Sequence, residues 1–207
     1  MARKFNDEER QFIKEKLITA GREWFGKFGL KKTSVEELTK SVGIAQGSFY
    51  LFFGSKEELY FEIMEQEEER IRLEMEQKLN SQGGVMTKQR LRAFLGEAFK
   101  AADESIFVKQ MYVDGVLEMV MRKLPKEKLQ QNFTRDADAL LPSIRMWQDQ
   151  GLIVQSDPET IVSMIRALFM LTLHRKEIGE VQFDATFQLM LDVVVEGLVS
   201  LRNSNQH

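Results

Sequence analysis

Thr33-Ser34-Val35-Glu36-Glu37-Leu38-Thr39-Lys40-Ser41-Val42-Gly43-Ile44-Ala45-Gln46-Gly47-Ser48-Phe49-Tyr50-Leu51-Phe52-Phe53-Gly54-Ser55-Lys56-Glu57-Glu58-Leu59 is the stretch that decides the fold. Thr33-x-x-Glu36 and Ser34-x-x-Glu37 both fit a capping box, and Ser34 is the better N-cap for a helix over about 35–42. Gly43 ends that helix, because glycine adopts the backbone angles a tight turn requires. A second short helix fits about 45–52, and a third begins near Lys56. In the second, Ile44, Phe49 and Phe53 fall at the spacing of a buried side, while Gln46, Ser48, Tyr50 and Phe52 fall mostly outward. Two short helices across a glycine turn, one offering polar and aromatic groups to the outside, make a helix-turn-helix.

The flanking segments fit that reading. Upstream, Ile13, Leu17, Ala20, Trp24 and Phe28 trace one face of an amphipathic helix over about 7–28, with Gly29 as its C-cap. Residues 1–56 hold 11 Lys/Arg against 7 Asp/Glu, whereas the remainder holds 18 against 25. The overall charge of −3 therefore hides a basic head on an acidic body, which points to an anionic partner for the head alone. Downstream, the third helix runs to about 79, and its acidic run Glu65–Arg70 reads as a solvated face. Asn80-Ser81-Gln82-Gly83-Gly84 reads as an exposed linker.

Beyond the linker every segment is again helical. Leu91, Phe94, Leu95, Ala98, Phe99 and Ala102 form a core stripe, and the apolar stretch from Ile106 to about Met121 is interrupted by Gly115. Phe133, Ala137, Leu140, Leu141, Ile144 and Trp147 resume the helical spacing, with a kink or break expected at Pro142 and an end at Gly151. Asp157-Pro158-Glu159 combines an N-cap, a proline at the first helical position and an early acid. Segments 161–173 and 183–201 are apolar on more than one side, so they are either deep in one domain or also cover a partner chain. A subunit interface is the preferred reading, with Ile165, Leu168, Phe169, Phe187, Met190, Leu191, Val194 and Leu198 as its candidates. Two such helices from each of two chains would make a four-helix bundle.

Composition narrows the chemistry. The chain has 207 residues, no cysteine and two histidines. Disulfides, thiolate metal sites and a cysteine nucleophile are excluded, and a histidine-based enzyme or metal centre has little to work with. No Gly-x-Ser-x-Gly or Gly-x-x-x-x-Gly-Lys segment is present. No apolar run approaches the roughly 18 residues of a membrane span, so a cytoplasmic, non-enzymatic protein without cofactor, metal or membrane association is expected.

The segment Thr33–Leu38 followed by Val42–Leu59 resembles the signature of the tetracycline-repressor (TetR) type of bacterial transcriptional regulator. The glycine turn, the Gly47-x-x-Tyr50 step, the Phe53-x-x-Lys56 step and the trailing Leu59 occur together at fixed spacing. Ala45 stands where members often carry serine or threonine, and Phe52 where some carry histidine or tyrosine. The resemblance implies an all-α protein: a three-helix helix-turn-helix domain in residues 1–55, with the motif at about 34–53, then a helical ligand-binding and dimerisation domain in 56–207.

It also implies roles. Thr33 and Ser34 would anchor the first helix and meet the DNA backbone, unless they act as caps alone. Gln46 would pair with an adenine edge, and Ser48 would serve a base or a phosphate. Gly47 would allow close approach, Phe52 would pack on a sugar or thymine methyl, and Tyr50 and Lys56 would contact phosphates. The implied partners are an operator in double-stranded DNA, a second copy held through the two C-terminal helices, and a small apolar or amphipathic effector. The function expected is that of a repressor released by that effector. The alternative is a structural helical dimer with no sequence-specific DNA binding. Phe99, Phe107, Met111, Tyr112 and Trp147 are candidate effector contacts, although each also suits a plain core. Asp114 and His174 are polar groups among apolar neighbours, fitted to orient a ligand or to take a hydrogen-bonded structural role.

Overall fold

Local capping chemistry sets where the helices start. The computed structural model describes residues 6–81, 86–112 and 114–200, without the side chains of 80, 81, 132–138 and 200. The linker residues 82–84, the side chains of Phe133 and Ala137, and Leu201 lie outside the described residues. Among those described, every regular element is helical. They are α1 (Asp7–Lys32), α2 (Val35–Val42), a 3-10 helix (Gln46–Leu51), α3 (Lys56–Ser81), α4 (Lys88–Glu104), α5 (Ile106–Tyr112), α6 (Val116–Met121), α7 (Lys126–Asp149), α8 (Pro158–Leu173), α9 (Arg175–Ile178) and α10 (Phe183–Ser200). None is long and apolar enough to cross a membrane.

Asn6 and Ser34 each close a full capping box, with Glu9 and Glu37. Asp157 caps α8 in front of Pro158. Gly29 (φ 77°) breaks α1 before a last short turn, and Gly43 (φ 79°) stops α2 in the left-handed conformation. Two expectations change and one element is added. The segment at 45–52 is a 3-10 helix. α7 runs on through Pro142 without a break. The four-residue helix α9 was not foreseen.

The chain forms two compact units. The first joins residues 1–69 to residues 105–129; the second joins 70–104 to 130–207. This division by compactness runs differently from the division expected at residue 55. In the first unit, Leu17, Phe25, Leu38, Phe49, Leu59, Tyr60 and Ile63 pack with Phe107, Met111, Val116 and Val120. α1 and α3 come so close that a Cβ on Gly21 would lie 2.7 Å from Ile63 Cδ1.

In the second unit, Leu91, Leu95 and Phe99 of α4 pack with Ile144 and Trp147 of α7, Ile161, Ile165 and Leu168 of α8, and Phe187, Leu191, Val195 and Leu198 of α10. α4 and α10 are also joined by a ladder in which Lys88 pairs with Glu196 and Arg92 with Asp192 and Gln188. These pairs are half exposed, so each adds at most about 1 kcal/mol and chiefly sets register.

Candidate nucleic-acid interface

The end of α1 explains how the helix-turn-helix is held. A helix leaves its last carbonyls without partners, and buried ones must find donors elsewhere. Thr33 Oγ1 donates to Gly29 O at 2.9 Å and approaches Trp24 O at 3.4 Å. Lys56 Nζ donates to Leu30 O and Thr33 O, both at 2.7 Å. Gln110 Nε2 donates to Phe25 O at 2.9 Å. Side chains from three separate places thus close one helix end. Tyr60, fully buried, donates to Phe107 O at 3.1 Å and to Gln110 Oε1 at 3.3 Å. Burial, with a smaller contribution from the charge of Asp114, pushes the Tyr60 phenol well above its ordinary pKa, so it stays a neutral donor.

On this base sits the 3-10 helix. Phe49 and Phe53 are buried beneath it, their rings 5.8 Å apart. Arg10 Nη2 donates to Leu51 O at 3.1 Å, and its guanidinium lies 5.7 Å from the Phe52 ring. Ala45 precedes the helix without a side-chain cap. Gln46 and Gly47 are exposed and Ser48 is half buried. Tyr50 is 58% exposed and stands edge-on to Phe49. An added Cβ on Gly47 would meet nothing within 4 Å, so the fold itself does not require glycine there.

The expected DNA contacts therefore separate. Gln46, Gly47 and Tyr50 are exposed on the 3-10 helix, with Ser48 half buried among them and Phe52 half buried at its end. Ser34 is exposed at the start of α2, where Oγ accepts from Glu37 N and donates to Glu37 Oε2. Thr33 is corrected from contact to anchor, because its side chain is buried and its hydroxyl engages α1. Lys56 has two of its three N–H donors committed to the carbonyls of Leu30 and the C-cap Thr33 at the end of α1, which makes it first a positioning residue. The Lys56 role was not visible in the sequence, because its partners lie 26 and 23 residues upstream at the end of α1.

The candidate effector residues do not converge. Phe107, Met111 and the half-buried Tyr112 belong to the first core, and Trp147 is packed in the second. Phe99 alone of the five opens on a cleft of about 520 Å³ in the second unit, whose floor also includes Phe183 and Phe187. Asp114 is exposed; His174 is exposed too, its Nδ1 3.8 Å from Glu177.

The candidate interface residues also need correction. Ile165, Leu168, Phe187, Leu191 and Leu198 are buried within their own chain. Phe169, Met190 and Val194 are partly buried against the same core. Among the described residues, the large apolar side chains exposed on these helices are Met170, Leu189 and Val193, which the apolar pattern alone did not single out.

Comparison with known proteins agrees with this geometry. Residues 17–63 match the bacterial regulatory proteins of the tetR family. Over 51 residues the chain is 43% identical to an uncharacterised HTH-type transcriptional regulator, YvdT, of Bacillus subtilis (strain 168); that stretch is 25% of this chain and 26% of the relative's length. A TetR-family transcriptional regulator from Pectobacterium atrosepticum superposes with a TM-score of 0.74 at 18% identity, covering 94% of this chain and 98% of the other. The regulator FadR from Bacillus subtilis, solved in complex with stearoyl-CoA, gives 0.62 at 17% identity over 90% of this chain and 98% of its own. Residues 17–63 thus carry the match to the tetR family, and the chain as a whole has the fold of that family's solved regulators.

Proposed function

We propose that this protein is a ligand-responsive DNA-binding transcriptional regulator of the cytoplasm: a homodimeric repressor of a near-palindromic operator, released by a small apolar or amphipathic molecule. Residues 1–55 serve DNA binding, and residues 56–207 serve dimerisation and effector binding. The observation that carries this reading is the exposure of Gln46, Gly47 and Tyr50, with Ser48 half buried among them, on a short helix anchored by the buried Phe49 and followed by the buried Phe53. An exposed amide and phenol beside a half-buried hydroxyl on a packed support can read base edges and phosphates in a major groove.

Two copies suit the remaining features. Met170, Leu189 and Val193 leave apolar surface on α8 and α10 that a twofold partner would cover. Two heads roughly 34–36 Å apart would then meet successive turns of one DNA face. An effector acts by preferring the dimer state whose heads do not match that spacing, with a coupling of about 1–3 kcal/mol. FadR, which shares the fold, was solved with stearoyl-CoA, and this supports an effector in the helical body here.

Selection of bound fragments from a random DNA pool tests the reading, followed by affinity measurements at several salt concentrations. The expected result is an enriched inverted repeat whose affinity falls steeply with salt. A pool without enrichment, and equal affinity for bulk DNA, would leave a structural helical dimer instead.

A further inference from the structure

We propose that the cleft between α4 and the facing ends of α8–α10 binds an organic cation with an aromatic or apolar body, and that Arg175 holds the place such a cation takes. The inference rests on the regulator reading above and names the chemistry of its effector.

The floor is aromatic. Phe99, Phe183 and Phe187 are each more than nine-tenths buried, yet all three border the cleft. Phe99 meets Phe187 edge-on at 5.4 Å, and Phe183 stacks on Phe187 at 5.9 Å. A volume of about 520 Å³ suits a small molecule whose body covers these rings.

The protein already seats a cation there. The Arg175 guanidinium lies 4.6 Å from the Phe183 ring centre, with Asp184 at 2.9 Å and Asp103 at 3.8 Å. A ring face between two carboxylates is the environment that favours an ammonium or guanidinium group over a neutral or anionic one. The other cleft charges do not reverse this preference. Arg92 is paired with Asp192 and Gln188, Lys100 with Glu104, and Glu97 with Lys78.

Arg175 is built to yield. Its side chain is one-third exposed and it opens the four-residue helix α9. Exchange of one cation for another keeps the charge of the site constant. The ligand's body then adds contacts with Phe99 and Phe187 that decide the exchange in its favour.

The test is calorimetric titration of the full chain with benzyltrimethylammonium, benzyl alcohol and benzenesulfonate. The cation should bind at least about tenfold more tightly than either comparator. Arg175→Ala should tighten cation binding about tenfold by removing the competitor, and Arg175→Gln should do the same while keeping a polar side chain of similar length. Asp103→Asn combined with Asp184→Asn should abolish the preference for the cation.

Equal or tighter binding of benzenesulfonate, absence of heat with the cation, or weaker cation binding in both Arg175 variants would overturn the proposal. DNA affinity is read separately. If the cation binds the cleft and operator affinity is unchanged, the cleft stands and its effector role falls. If other compounds release DNA and the cation gives no heat, the regulator stands and the cleft assignment falls.

Discussion

Gln110 on α5 gives its side-chain amide to the carbonyl of Phe25 on α1 at 2.9 Å, across 85 positions of sequence. The same side chain accepts from Tyr60 on α3, so one buried amide ties three helices under the DNA-binding head. Gln110→Met preserves approximate volume but leaves the Phe25 carbonyl without this donor and Tyr60 with one acceptor fewer. The expected loss is about 1–3 kcal/mol of unfolding free energy, read from denaturant midpoints at unchanged slope. An unaltered midpoint would show that the bond contributes nothing to holding the head.

Gly47 separates folding from DNA contact. No atom lies within 4 Å of an added Cβ, and the backbone there is not left-handed. Gly47→Ala should therefore leave thermal stability unchanged or raise it by about 0.4–1 kcal/mol through the unfolded chain. Operator affinity should fall about tenfold or more if the helix backbone approaches DNA closely. Full operator affinity in Gly47→Ala would remove this residue from the interface.

Substitution on the two sides of α10 should give opposite phenotypes. Leu189 and Val193 are 65% and 63% exposed, whereas Leu191 is fully buried. Leu189→Glu with Val193→Glu should yield a folded monomer in sedimentation, with helical content intact. Leu191→Ala should cost about 2–5 kcal/mol of stability through a cavity. A double glutamate variant that still sediments as a dimer would place the subunit contact elsewhere.

The capping box of α2 predicts a pH signature. Glu37 accepts from the backbone N–H and the hydroxyl of Ser34, both at 2.8 Å, and these bonds hold its carboxyl below the ordinary range. A folded-state pKa below the unfolded one means that the stabilisation is complete above the unfolded value and is lost as pH falls through the folded value. Glu37→Gln keeps an acceptor but removes the titration. The melting-temperature advantage of wild type over this variant should be constant near neutrality and shrink as pH drops through the carboxylate range. A constant difference down to about pH 3 would contradict the assignment.

What the sequence revealed follows the range of the interactions involved. Ser34 with Glu37, Gly43, and Asp157 before Pro158 act within four residues, and their helix boundaries could be read directly. The outward side of the 3-10 helix followed from the spacing of Phe49 and Phe53. Lys56 was harder: its ammonium answers carbonyls 26 and 23 residues upstream, and no local pattern records that. Leu189 and Leu191 have identical chemistry, and only packing distinguishes the exposed one from the buried one. Phe107, Met111 and Trp147 are equally apolar and cannot be sorted between two cores without the Gln110–Phe25 and Phe94–Trp147 contacts.

Residues 105–129 complete the core of the unit that bears the 3-10 helix, reached through a return of the chain far downstream. A fragment cut after residue 69 would bare Tyr60 and Phe61 to water and leave Phe25's carbonyl without Gln110. The head is therefore a poor candidate for grafting as a contiguous cassette. Chimaeras that exchange specificity are better made by transplanting the surface of residues 46–50 alone, leaving the host's own downstream segment to support it.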